Sequence, residues 1–159
     1  MRIHRLVPAL LALVPTLAAC GRESPEKRAA RRDAHRTACI AEELALQAKE
    51  RLAYMDTALA RSRGTAVEAI SAASFRFAFA MKDYADAALK TVAYQDSALA
   101  ARSREDSVRY AGLATRSRPP APAARSVEAN AAQRYEEELA AAFGNPAHPC
   151  NQEGEEGES

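Results

Sequence analysis

Arg61-Ser62-Arg63-Gly64-Thr65-Ala66-Val67-Glu68 is the stretch on which the fold turns. Basic residues suit the negative end of a helix dipole, and Gly64 can take the left-handed conformation that ends a helix. Thr65 and Glu68 stand three apart, the spacing of a capping box that opens a new helix. A stop and a start this close together predict two helices that double back on each other as an antiparallel hairpin.

Upstream, Ser24-Pro25-Glu26 carries a capping hydroxyl, a proline suited to the first helical position and an acid suited to the positive dipole end. A stripe of Ala34, Ala38, Ala41, Ala45, Ala48, Leu52, Met55 and Leu59 then alternates steps of four and three. That is a heptad-type seam, so the first helix is expected over 25–62 with coiled-coil-like, Ala-rich packing. Downstream, helix two is expected over 66–117. Ser103 and Asp106 repeat the capping-box spacing, which predicts a break near 103–106. Phe75-Arg76-Phe77-Ala78-Phe79-Ala80-Met81 alternates like a strand, but its flanks read as helix on both sides. On a helix, Phe77, Met81 and Tyr84 share one face while Phe75 and Phe79 share another. Two apolar faces call for two packing partners, and these five residues form the expected interaction face. Arg118-Pro119-Pro120-Ala121-Pro122 cannot continue a helix and begins a linker over 118–125. Ser126 can cap a third, shorter helix over 127–143, ended by Gly144. Residues 151–159 are acidic and Gly-containing, and are expected to form a disordered tail. The reading is all-α: a long helical hairpin plus a shorter third helix.

The chain has 159 residues, 48% of them hydrophobic, and no Trp. That fits one modest domain over 20–150. Alanine buries little area, so the core is expected to be thin at roughly 25 cal/mol per Å². Without the first 19 residues, the 22 basic residues lose Arg2 and Arg5 and face 21 acidic ones, a net charge of −1. This balance gives no footprint for nucleic acid. Arg22, Lys27, Arg28, Arg31, Arg32 and Arg36 cluster near the start of the mature part. They read as a solvated face, with anionic headgroups as the other reading.

Residues 1–20 read MRIHRLVPALLALVPTLAAC. Arg2 and Arg5 form a short positive start, and the apolar run Leu6 to Leu17 contains Pro8 and Pro15. This run is too short for a spanning helix and fits a secretory signal over 1–19. Leu17-Ala18-Ala19-Cys20, followed by Gly21, resembles the lipobox of bacterial lipoproteins. The resemblance covers these first residues only. It implies a diacylglyceryl group on the Cys20 thiol and cleavage before it, which makes Cys20 the first residue of a membrane-anchored protein. It implies a cell-envelope location, and Gly21 in place of an aspartate points to the periplasmic face of the outer membrane.

Cys39 and Cys150 then remain. Two cysteines in an oxidising compartment most often pair. Cys39 lies about 35 Å of helix from the turn. The returning helices and the extended segment 144–150 are long enough to bring Cys150 back to it. Unpaired or intermolecular cysteines remain open. So does a His₂Cys₂ zinc set of His35, Cys39, His148 and Cys150. The metal-free reading is preferred, and no cofactor is expected. No Gly-x-Ser-x-Gly, phosphate-cradling loop or His-Glu-x-x-His occurs. The carboxylate runs Glu42-Glu43 and Glu136-Glu137-Glu138 read as solvated faces. Tyr54 with Asp56 and Tyr94 with Asp96 form an internal echo forty residues apart, readable as an old helical duplication. The expected role is non-enzymatic: an envelope scaffold or protein-binding module with an envelope partner or a second copy. The alternative is a sensor or metal or small-ligand module built on the Cys39/Cys150 neighbourhood.

Overall fold

The computed structural model describes residues 24–119 and 121–152. The Cys20 lipobox and residues 153–159 of the acidic tail lie outside them. All the described regular structure is helical: α1 Pro25–Ser62, α2 Glu68–Ala100, α3 Arg104–Ser117, α4 Val127–Phe143 and α5 Pro149–Gln152.

Local chemistry sets most of the boundaries. The Ser24 hydroxyl accepts the Lys27 amide hydrogen, and Pro25 follows at the first position of α1. At the other end Gly64 has φ +73°, and the chain reverses there. The expected capping box from Thr65 is not formed. The Thr65 hydroxyl donates back to the Ser62 carbonyl at 2.6 Å, and the Glu68 carboxylate accepts the Gly64 amide hydrogen at 2.7 Å. Glu68 therefore fastens the turn itself, and α2 starts at Glu68 instead of 66. The alternating segment 75–81 lies wholly within α2.

The long second helix ends at Ala100, and Ser103 caps α3 by accepting the Asp106 amide hydrogen at 3.0 Å. The break lets α3 fold back against α2 and bury Ala114. The described residues thus hold five helices where a hairpin plus a third helix was expected: the break expected near 103–106 falls between Ala100 and Arg104 and makes α3 separate, and a short α5 follows α4. Ser126 caps α4 through the Ala129 amide at 3.0 Å.

Helices α1 and α2 run antiparallel side by side, with His35 near the start of α1 facing Asp96 near the end of α2. Helix α4 closes over both. The core lies where the three meet: Ile40, Leu44, Ala45 and Ala48 from α1, Ala80, Met81 and Ala85 from α2, and Ala131 and Tyr135 from α4. Only the middle of the Ala stripe is buried. Ala41, Ala45 and Ala48 are inside, whereas Ala34, Ala38, Leu52, Met55 and Leu59 are half-buried. Small residues in the seam allow close approach, and Ile40, Leu44 and Tyr135 supply the volume that alanine lacks. No helix among the described residues is long and apolar enough to cross a membrane.

Candidate functional site

The chemistry-bearing side chains gather where the start of α1 meets the end of the chain. Cys39 on α1 and Cys150 on α5 form a disulfide, with Cα atoms 5.8 Å apart and 111 residues between them in sequence. Cys150 is buried. Around the bond, Arg36 lies one helical turn before Cys39. Its guanidinium stacks 4.1 Å from the Phe143 ring centroid, donates to the Phe143 carbonyl at 2.5 Å and donates to the Asn151 side chain. The Asn151 amide in turn donates to the Ala142 carbonyl at 3.0 Å and to the Asn145 carbonyl. One side chain thus adds a second hydrogen bond to carbonyls at and just beyond the end of α4 that the backbone amides of Asn145 and His148 already reach. Asn151 belongs to this clasp and α5 runs on to Gln152, which corrects the start at 151 expected for the disordered tail. The correction has a cause the composition hides: the cystine fixes residue 150, and Asn151 follows on the same short helix.

Four residues after Cys39, Glu43 faces His148, with Oε2 3.3 Å from Nε2. The Cys150 amide hydrogen reaches His148 Nδ1 at 3.3 Å, so Nδ1 accepts and Nε2 carries the ring hydrogen toward Glu43. Ligand atoms of Glu43, His148 and Cys150 all lie within 4.8 Å of one another. His35 does not join them, because its ring pairs with Asp96 across the hairpin at 3.8 Å. The alternative zinc set of His35, Cys39, His148 and Cys150 is therefore not assembled. Both sulfurs are spent on the disulfide, and Glu43 stands where His35 was expected. Sequence reading placed Glu43 on a solvated face, yet its side chain is the one beside His148. The missed signal is spacing: Cys39 and Glu43 are four apart and so share a helix face.

The carboxylates at 136–138 also do more than face solvent. Glu138 receives Arg51 from α1 and Arg134 from its own helix, at 3.0 and 2.9 Å. Glu136 accepts the Tyr84 hydroxyl hydrogen at 2.9 Å. Tyr84 and Tyr135 meet edge to face with centroids 5.3 Å apart. Burial pushes both phenols above their ordinary range, and the Glu136 charge adds to the shift in each.

The expected interaction face is divided by the fold. Phe77, Met81 and Tyr84 pack against the core. Phe75 and Phe79 point elsewhere, with ring centroids 6.5 Å apart. They line a groove of about 680 Å³ with Pro119, Pro122, Ala123 and Val127, and Phe79 is 49% exposed. The echoed pairs occupy unlike settings. Tyr54 is exposed on α1, while Tyr94 is half-buried and Asp96 faces His35. Comparison with family models, curated proteins and solved structures yields no match to this chain.

Proposed function

We propose that the protein is an exported lipoprotein, tethered through Cys20, that acts without catalysis as a helical scaffold or protein-binding module of the cell envelope. The Cys39–Cys150 disulfide carries the reading. Such bonds persist in oxidising compartments and are rare in the cytosol. The disulfide therefore agrees with the export implied by Arg2, Arg5, the apolar run and the Leu17-Ala18-Ala19-Cys20 resemblance. An acylated Cys20 would put the membrane five residues ahead of the start of α1. The hairpin of α1 and α2 would then extend from it as a rod. Phe75 and Phe79, left outside the core beside the proline segment, supply apolar surface for an envelope protein.

Two measurements test this reading. Labelled palmitate should enter the protein, and Cys20→Ser should abolish the label and leave the precursor unprocessed. A photo-cross-linker at position 79 in native membranes should capture one discrete partner or a second copy. An unlabelled protein in the cell interior overturns the anchor. A protein without cross-links from position 79 overturns the binding role.

A further inference from the structure

We propose that the Cys39–Cys150 disulfide is the oxidised form of a zinc site, completed on reduction by His148 and Glu43. The four residues come from two elements and the loop between α4 and α5: ligand atoms of Glu43, His148 and Cys150 already lie within 4.8 Å of one another, and the disulfide joins Cys39 to Cys150. A structural zinc site takes four ligands in a tetrahedron, from cysteine, histidine and carboxylate. Nitrogen and oxygen ligands at 2.0–2.1 Å from a tetrahedral ion stand about 3.3 Å apart. His148 Nε2 and Glu43 Oε2 are 3.3 Å apart, so an ion between them needs no change in their separation. Thiolates at about 2.3 Å stand about 3.8 Å apart, which side-chain rotation of two facing cysteines can supply.

The chemistry balances. A dithiol reductant gives two electrons and two protons to the Cys39–Cys150 bond. This yields two thiols and leaves the reductant as its own disulfide. Zn²⁺ then binds both sulfurs and releases two protons. On His148 the ring hydrogen moves from Nε2 to Nδ1. That gives up the Cys150 amide contact, an adjustment taken by the four-residue α5. Glu43 is 45% exposed at its side chain and offers the entry path. In the oxidised state the same carboxylate holds the His148 hydrogen, so the pair has a partner in both states.

The test uses the full chain carrying Cys20→Ser, which removes the third thiol. After reduction by a dithiol and its removal, one equivalent of Co²⁺ should give the visible absorption of a tetrahedral thiolate site. Zn²⁺ should displace it, protect Cys39 and Cys150 from alkylation and release about two protons. The oxidised chain should show none of this. His148→Ala and Glu43→Gln should each weaken zinc binding at least about tenfold. Helix content should rise with zinc in the reduced parent chain and not in His148→Ala. Equal zinc affinity in the parent and both variants would mean a bare dithiol and would overturn the proposal. Absence of the cobalt spectrum in the reduced chain would do the same. Palmitate labelling is read separately, so the anchor and the metal site stand or fall independently.

Discussion

At the scale of single residues, Tyr135 is the largest fully buried side chain among the described residues, and an alanine-rich core has little else of its size. Removing a buried aromatic leaves a cavity that small neighbours cannot fill. Tyr135→Ala should therefore cost about 3–5 kcal/mol in denaturant unfolding, with Tyr135→Phe costing far less. The same residue predicts a pH effect. An unfolded tyrosine ionises near 10, whereas burial keeps the folded phenol neutral to higher pH. The folded chain then holds more protons above that point, so stability is intact below about pH 10 and falls as pH rises further. Thermal unfolding between about pH 9 and pH 11 should show this loss, and Tyr135→Phe should reduce it. Tyr84, raised by burial and by its bond to Glu136, contributes in the same direction.

At the scale of elements, two short signals govern how the helices begin and end. Gly64 takes φ +73° with nothing within 4 Å of where a Cβ would sit. Gly64→Ala should therefore cost about 1–2 kcal/mol through backbone strain alone, measured as a shift in unfolding midpoint at constant slope. Ser103 separates α2 from α3 by holding the Asp106 amide. Ser103→Ala should cost about 1 kcal/mol, and amide exchange should quicken first in α3. The turn at 61–68 was legible from glycine and the residues beside it. The role of Glu68 was not. Its carboxylate could have closed a capping box with Thr65, and the geometry of the reversed chain aims it at Gly64 instead. A spacing of three fixes which residues can meet, and leaves the partner to the backbone around them.

For the whole molecule, one covalent bond ties the first helix to the last. Loop closure over this length is worth about 4–5 kcal/mol in the chain-entropy model. Cys39→Ser with Cys150→Ser should lower unfolding free energy by about that amount in the absence of metal. Amide exchange should report early loss of the Arg36–Phe143–Asn151 clasp in that variant. A denaturation midpoint unchanged by the double substitution would remove the bond from any structural role. The pairing was legible as a distance argument, because helix rise and loop reach allow residue 150 to return to residue 39. What surrounds the pair was not legible. His35 and Glu43 both lie four residues from Cys39, on opposite sides in sequence, and only the packing of α5 selects Glu43.

The amino-acid sequence alone determined the helical class, the reversal at Gly64, the caps at Ser24, Ser103 and Ser126, and two cysteines within reach of each other. Each of these rests on interactions among residues a few positions apart or on the fixed rise of a helix, and such interactions need no knowledge of the fold. Tertiary structure alone decided which part of the alanine stripe is core, and that Tyr135 fills it. It also decided that the five aromatic and methionine positions divide between core and groove, and that Glu43 meets His148. These are contacts between segments far apart in the chain. They depend on the rotation and offset of one helix against another, which close packing sets and periodicity leaves open.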